Sequence, residues 1–150
     1  MSIEFVPIKE KLEENRELAK NAACTPTLNQ CIEFYTKAGF VEPWICYYGL
    51  ENGEVVANAA FKGEPRDGAV EIAYGTMEQY QRKGIGTRVC RQLVQMALAQ
   101  DPALRITART LPERNFSTRI LEKNDFRLLG TVDDPEDGAV WEWEYTGNLQ

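Results

Sequence analysis

The 150-residue sequence contains no histidine and no closely spaced pair of cysteines. The first absence excludes Ser-His and Cys-His nucleophilic schemes and removes the commonest metal-binding side chain. Cys24, Cys31, Cys46 and Cys90 are scattered through predicted helices and strands, which favours free buried thiols over a zinc site or a disulfide scaffold. We therefore predict no metal site. Acid–base chemistry falls to carboxylates, tyrosine, cysteine, lysine or water.

Long hydrophobic runs and clustered positive charge are also missing. No run approaches the roughly 18 apolar residues that cross a bilayer, and no opening segment has the pattern of a secretory leader. The net charge is −6 and the Lys and Arg residues are dispersed, so nucleic acid is not an expected partner. We expect a soluble, cytoplasmic protein with no membrane partner. A homodimer is expected only on the base rate of symmetric oligomers.

The pattern of apolar residues predicts one α+β domain, residues 1–150, in which helices flank a mixed sheet in layers. Helical spacing predicts helices over 9–23, 27–38, 86–100 and 113–123. Alternating or β-branched runs predict strands over 3–8, 44–50, 55–61, 69–76, 104–111 and 126–132. A last strand follows the turn at 133–138 and places Trp141, Trp143 and Tyr145 on one face. Asn52-Gly53 marks the clearest hairpin.

A basic, glycine-containing turn lies between the strand at 69–76 and the long helix. It consists of Gln81, Arg82, Lys83, Gly84, Ile85, Gly86 and Thr87. A turn of this kind presents unpaired backbone N–H groups at the positive end of a helix dipole, and its glycines let an anion approach the backbone. The segment predicts a phosphate-binding loop, although a glycine pair is also a common way to make a tight strand-to-helix turn.

Two other phosphate-binding motifs do not fit this segment. A Walker loop requires a Gly-Lys-Ser/Thr ending that is absent here. A dinucleotide fingerprint requires a third glycine where Val89 stands, and an acidic residue on the next strand where Arg109 and Thr110 stand. Neither ATP nor NAD is therefore favoured.

Gln81, Gly84 and Gly86 match the loop Gln/Arg-x-x-Gly-x-Gly/Ala of the GNAT family of N-acetyltransferases, which this sequence resembles over roughly its last hundred residues. Further matches are similar to the branch that acetylates ribosomal-protein N-termini. They are Phe61-Lys62-Gly63, Val70-Glu71-Ile72-Ala73-Tyr74, Pro112-Glu113-x-Asn115-x-Ser117, and Ile120-Leu121-Glu122-Lys123-x-x-Phe126. Asp125 departs from the usual glycine, and Leu121 from the tyrosine of many members.

The resemblance implies a mostly antiparallel, splayed sheet that binds acetyl-coenzyme A. The pantetheine arm would lie in the gap between the strands at 69–76 and 104–111, bonded to the backbone of Tyr74, Gly75 and Thr76. The pyrophosphate would lie on the amides of residues 82–87. Asn115 and Ser117 would lie near the pantetheine or thioester end.

The family reaction is direct attack of a neutral amine on the thioester. Glu71 is our candidate base because its neighbours Ala69 and Ala73 leave room for a substrate, the alternative being a solvent-facing strand glutamate. A backbone N–H near Thr76 would bind the oxyanion. Ser117 is the candidate acid, although a serine early in a helix also serves backbone bonding. The alternatives to Ser117 are Tyr47, Tyr48, Tyr74 and Tyr80.

The predicted function is transfer of an acetyl group from acetyl-coenzyme A to a primary amine of a small molecule or of a protein N-terminus. A non-catalytic acyl-coenzyme A-binding or regulatory module of the same fold is the alternative. The transferase predicts turnover that depends on Glu71, whereas the binding module predicts cofactor binding without turnover.

Overall fold

The protein is described by a computed structural model over residues 3–147, in which seven strands form a single mixed sheet. The strands are β1 (Glu4–Pro7), β2 (Cys46–Glu51), β3 (Glu54–Phe61), β4 (Ala69–Thr76), β5 (Arg105–Thr110), β6 (Phe126–Asp134) and β7 (Gly138–Tyr145). The helices are α1 (Arg16–Ala19), α2 (Thr25–Ala38), α3 (Ile85–Gln100) and α4 (Phe116–Lys123), with short 3-10 turns at Leu12–Glu14 and Glu78–Tyr80.

The strand order is β1-β2-β3-β4-β5-β7-β6, and only β4 and β5 run parallel. A parallel pair needs a crossover between its strands, and α3 provides it. This arrangement confirms the predicted fold class, a mixed and mostly antiparallel sheet flanked by helices.

The predicted helix over 9–23 is wrong. The segment contains only the turn at Leu12–Glu14 and the four-residue α1. Asn15 separates the two: it is 4% exposed, its Oδ1 accepts the Lys9 N–H at 2.8 Å, and its Nδ2 donates to the Lys9 and Lys11 carbonyl oxygens. A side chain that satisfies backbone groups competes with helical bonding, and propensity alone does not reveal that competition.

Asn15→Ala is expected to lower the free energy of unfolding by about 1–3 kcal/mol, because it removes three hydrogen bonds that the buried Asn15 side chain makes to the backbone of Lys9 and Lys11. Urea denaturation measures this change. Asn29→Ala is the matched control, since Asn29 is exposed on α2, and it should stay within about 0.5 kcal/mol of the wild type. Equal stability of the two variants would contradict the structural role given to Asn15.

The structure confirms two features that were predicted from glycine residues, the Asn-Gly hairpin turn and the end of α2. Asn52 and Gly53 have φ of 53° and 81°, the left-handed pair that a two-residue hairpin requires. α2 ends at Gly39, with φ of 90°, whose N–H donates to the Tyr35 carbonyl oxygen. The turn of the β2–β3 hairpin and the end of α2 therefore lie where the sequence predicts.

The helices pack on opposite faces of the sheet. On the α3 face lie Ile72 and Tyr74 of β4, and Tyr74 contacts Cys90 of α3. On the α2 face lies Tyr48 of β2, whose hydroxyl is 2.6 Å from that of Thr27 on α2. α3 buries seven residues against the core. The α2 face is covered only in part, which leaves room for cavities.

The parallel pair β4–β5 splays apart at one end. Its paired register runs from Ala69↔Arg105 to Ile72↔Ala108 and stops there, although β4 continues to Thr76 and β5 to Thr110. The second half of β4 therefore has no hydrogen-bonded neighbour on the β5 side. This gap lies where the sequence resemblance predicts a splay.

Two further sequence expectations concern thiols and membranes. All four cysteines are free, three of them buried and Cys31 half-buried. Within residues 3–147, no helix has the length and apolar character needed to cross a bilayer.

Candidate active site

A cavity of about 410 Å³ opens at the splayed end of β4; we call it the loop cleft. It is bounded by β4, the segment 80–84, the first turn of α3 and one face of α4. Nine of the predicted coenzyme-binding residues line it: Tyr74, Gly75, Thr76, Gln81, Arg82, Gly84, Ile85, Gly86 and Thr87. The predicted acid Ser117 lines it as well. Lys83 and Asn115 are not among its lining residues.

The start of α3 is built to present backbone N–H groups to the loop cleft. Gly84 is the N-cap with φ of 77°, and the preceding Arg82 also has a positive φ, of 67°. The N–H groups that follow Gly84 have no helical acceptor, because the first backbone bond of the helix runs from Arg88 to the Gly84 carbonyl oxygen. This end of a 16-residue helix has the free N–H groups and the dipole orientation that favour an anion.

Close packing around Gly86 holds the loop against α4. A Cβ added at Gly86 would lie 2.6 Å from Ile120 Cδ1 and 3.3 Å from Thr76 Oγ1. Glycine at this position therefore lets α4 and the end of β4 approach the first turn of α3. The requirement explains the second glycine of the loop, which has an ordinary helical conformation.

Sequence reasoning missed the part of α4 that faces the loop cleft. Phe116, Arg119, Ile120 and Lys123 line it, and the ring of Phe116, 51% exposed, lies between the guanidinium groups of Arg82 and Arg119 at 5.6 and 5.8 Å. The helical spacing i, i+3, i+7 from Phe116 was a visible signal for one shared face. The face adds positive charge beside the loop amides.

Asn115 has a structural task in this site. Its Oδ1 accepts the Thr118 N–H at 3.2 Å, and the Thr118 hydroxyl accepts the Asn115 N–H at 3.0 Å, which forms a reciprocal cap. α4 therefore begins at Phe116, three residues later than predicted. The cap fixes the helix whose second residue is Ser117.

Tyr74 and Ser117 meet in the loop cleft. The Tyr74 hydroxyl donates to the Ser117 carbonyl oxygen at 3.4 Å, and burial raises the pKa of Tyr74 far above its ordinary value. The other tyrosines are engaged elsewhere: Tyr47 donates to the Pro43 carbonyl oxygen, Tyr48 to the Cys24 carbonyl oxygen, and Tyr80 to the Glu54 carboxylate. Tyr80 also lines the loop cleft, but Tyr74 is the tyrosine that contacts Ser117 there.

Glu71 lies on the α2 face, in a second cavity of about 340 Å³ that we call the charged cavity. Burial raises the pKa of its carboxyl, and the positive charges of Lys62 and Arg109 partly oppose that rise. Arg109 is held in turn by ion pairs with Asp134 at 2.9 Å and Glu142 at 3.3 Å. Glu71 is therefore half-buried, with a raised proton affinity, which distinguishes it from a solvent-facing strand glutamate.

A third cavity, about 360 Å³, lies between α2 and strands β2 to β4; we call it the front cavity. Tyr74 lines both the loop cleft and the front cavity, and Lys62 lines both the front and charged cavities. The loop cleft and the front cavity thus share Tyr74 on the part of β4 beyond its pairing with β5, and the charged cavity lies along the paired part of β4. A ligand with a long anionic arm in the loop cleft would reach the α2 face through the gap between β4 and β5.

A helix N-terminus at a splayed parallel pair, with the half-buried Glu71 on the opposite face, is the arrangement that the sequence resemblance implies for an acyl-coenzyme A site. Comparison with known proteins gives the family: the model of the acetyltransferase (GNAT) domain matches residues 4–127, so the chain belongs to the GNAT acetyltransferase family. The assignment confirms the GNAT family that the sequence motifs predict.

Relatives and solved structures agree with this assignment. An uncharacterised N-acetyltransferase of Bacillus subtilis (strain 168), YjdG, is 34% identical over 79 residues; the match covers 52% of this chain and 47% of that protein, so it spans about half the length of the relative. The aminoglycoside acetyltransferase AAC(6')-Ib in complex with paromomycin and acetyl-coenzyme A is 22% identical, with 99% of this chain and 96% of that chain covered and a TM-score of 0.69.

The fold is also shared with RimL, a ribosomal L7/L12 α-N-protein acetyltransferase solved with coenzyme A. That structure is 16% identical, covers 96% of this chain and 93% of its own, and has a TM-score of 0.67. At these identities the solved structures show a common fold. The acceptors of those proteins, an aminoglycoside and a ribosomal protein, differ from each other.

Proposed function

We propose that this protein transfers the acetyl group of acetyl-coenzyme A to a primary amine of a small molecule or of a protein N-terminus by direct attack. The observation that carries the proposal is the meeting of the loop cleft and the front cavity at Tyr74, where β4 leaves β5. An acetyl donor on one face and an amine on the other would come together only at this gap.

The residues of the loop cleft fit acetyl-coenzyme A. The amides of residues 82–87, the α3 dipole and the side chains of Arg82, Arg119 and Lys123 supply the positive potential that a pyrophosphate and a further phosphate require. On the β5 side, the backbone of Tyr74 to Thr76 has no strand partner, and this edge is available to a pantetheine arm. When bound, acetyl-coenzyme A supplies an activated thioester carbonyl.

The chain's own groups would handle the protons of the transfer. Glu71 removes a proton from the acceptor ammonium, directly or through water, and its raised pKa suits it to that task. As the new C–N bond forms and the C–S bond breaks, the departing thiolate takes a proton from the Tyr74 or the Ser117 hydroxyl. An N–H near Thr76 would stabilise the oxyanion.

Calorimetric titration with acetyl-coenzyme A, followed by thiol-release assays over a panel of amines and basic N-terminal peptides, tests the proposal. We expect saturable binding and release that depends on one class of amine. Binding without release would instead identify the regulatory module, and absence of binding would overturn the assignment of residues 81–87. Tyr74→Phe and Ser117→Ala are assayed in parallel. The variant whose kcat falls identifies the residue that acts as the acid.

The cations of α4 give a further prediction. Replacing both Arg119 and Lys123 by Gln is expected to weaken binding of coenzyme A by about tenfold at low ionic strength and by less in high salt, because exposed charges are screened. Titration at two salt concentrations measures both effects. Arg16→Gln/Lys37→Gln removes the same charge from α1 and α2, outside the loop cleft, and should leave the affinity unchanged. Equal effects of the two double variants would contradict a local role for α4.

A further inference from the structure

The front cavity has one charged end and an otherwise weakly polar lining. Its floor on β3 and β4 consists of small residues, Ala60 opposite Ala73 and Asn58 opposite Gly75. α2 covers it with Phe34, Cys31 and Gln30. No carboxylate is among the residues that line this cavity. An apolar group of the acceptor therefore fits here better than a polycationic sugar does.

Lys62 and Glu71 stand side by side at the charged end. The Lys62 N–H donates to the Glu71 carbonyl oxygen at 2.8 Å, which makes the two residues cross-strand partners directly after the pair Phe61↔Ile72. Cross-strand partners have Cβ atoms about 4.5–5.5 Å apart and point to the same face. An ammonium and a carboxylate are thus presented together to the same space.

The ammonium of Lys62 is directed toward the cavity side. It lies 5.8 Å from the centroid of the Phe34 ring on α2, and within residues 3–147 its contacts include no ion pair with a carboxylate. Of the three arginines that line the charged cavity, Arg105 is paired with Glu144, and Arg109 is paired with Asp134 and Glu142. Arg66, like these two, does not line the front cavity, whereas Lys62 lines both cavities. Lys62 is therefore the cation on this face that a ligand anion would meet at the junction of the front and charged cavities.

A free amino acid is the complement of this arrangement. Its ammonium and carboxylate are separated by a single carbon, which matches two opposite charges on adjacent strands, and its side chain would enter the front cavity. A peptide N-terminus carries a neutral carbonyl in place of that carboxylate. The cavity volume, about 360 Å³, is within the range of small-molecule sites.

We propose that the acceptor is a free α-amino acid with an apolar side chain, whose carboxylate pairs with Lys62 while its amine faces Glu71. This inference rests on the proposed function. Lys62 is then a specificity-determining residue: it selects the carboxylate of the acceptor and takes no part in the transfer itself.

The test compares L-phenylalanine with L-phenylalaninamide as acceptors, by kcat/KM in the thiol-release assay, for the wild type and for Lys62→Gln. We expect the wild type to prefer the free acid by about tenfold or more, the range of a charge-assisted contact, and Lys62→Gln to lose most of that preference. Comparing the preference between variants cancels the different basicity of the two amines. Lys62→Arg should keep the preference, and Arg66→Gln, which removes a nearby cation of the charged cavity, should leave it unchanged.

Each outcome of this test decides between the two proposals. An amide acetylated as well as the acid by the wild type, or an unchanged preference in Lys62→Gln, overturns the amino-acid acceptor and leaves the transferase in place. Acetylation of peptides or polyamines without acetylation of phenylalanine has the same meaning. Absence of thiol release with every amine, in protein that binds acetyl-coenzyme A, overturns the proposed function and this inference together.

Discussion

Glu71→Gln is expected to lower kcat by about 10²- to 10⁴-fold while leaving the affinity for acetyl-coenzyme A nearly unchanged, since general-base catalysis contributes in that range. Glutamine keeps the size of the side chain and its place beside Lys62, but it cannot accept the ammonium proton. Glu71 lines the charged cavity, and it is not among the residues of the loop cleft that would hold the coenzyme.

Steady-state kinetics and calorimetric titration on one preparation measure the two quantities. Glu64→Gln is the matched control, because Glu64 lines the same cavity and is exposed. It should retain full turnover. Turnover of Glu71→Gln equal to that of the wild type would remove Glu71 from the mechanism.

The pH dependence of the rate also tests the assignment of Glu71 as the base. Burial raises the pKa of Glu71 above the ordinary 4.5, and the base works only as the carboxylate. The rate therefore falls as the pH decreases through the raised pKa, so the acid limb lies above the pH at which an ordinary glutamate would place it. Lys62→Gln removes a positive charge that lowers this pKa and should move the limb to higher pH.

Gly84→Val is the second change with a large expected effect, a loss of about 10- to 100-fold in affinity for acetyl-coenzyme A, which corresponds to backbone strain of a few kcal/mol. Gly84 has φ of 77°, and a Cβ built on it meets no atom within 4 Å. The effect would thus arise from backbone conformation alone, because a β-branched residue avoids the left-handed region and would turn the loop amides away from the anion.

Gly84→Asn separates conformation from the mere presence of a side chain. Asparagine tolerates the left-handed region, so this variant should keep most of the affinity. Calorimetric titration measures both variants, and circular dichroism establishes that both are folded. Full affinity in Gly84→Val would show that the anion does not bind at this loop.

The fold was largely predictable because its strands carry clear local signals. β4 alternates buried Val70 and Ile72 with half-buried residues, and Asn52-Gly53 needs no tertiary information to form a hairpin turn. The helix predicted over 9–23 was wrong because its local signals are misleading. Its helix-favouring composition is overridden by Asn15, whose bonds to Lys9 and Lys11 become evident only in the folded chain.

The candidate site was also predictable only in part. The loop residues were predictable, since they adjoin one another in sequence and their chemistry is local. Arg119 and Lys123 were missed because charges on a short helix read as surface residues until α4 is placed beside the loop. The pairing of Lys62 with Glu71 depends on the register of β3 and β4, which single-sequence patterns do not fix.

The backbone conformation explains one position where the sequence departs from the family. Asp125, where the family usually has glycine, has φ of 66°, and aspartate is among the residues that accept this region. The departure therefore preserves the turn between α4 and β6. The Thr146 hydroxyl, which donates to the Asp125 carbonyl oxygen at 2.8 Å, ties that turn to the end of β7.

Mass analysis of the acceptor after incubation with acetyl-coenzyme A labelled in its acetyl methyl group tests the central claim most directly. The account predicts one labelled acetyl group on the amine of the acceptor for each coenzyme A thiol released. Label recovered as free acetate, or thiol release that does not depend on an amine, would contradict an N-acetyltransferase.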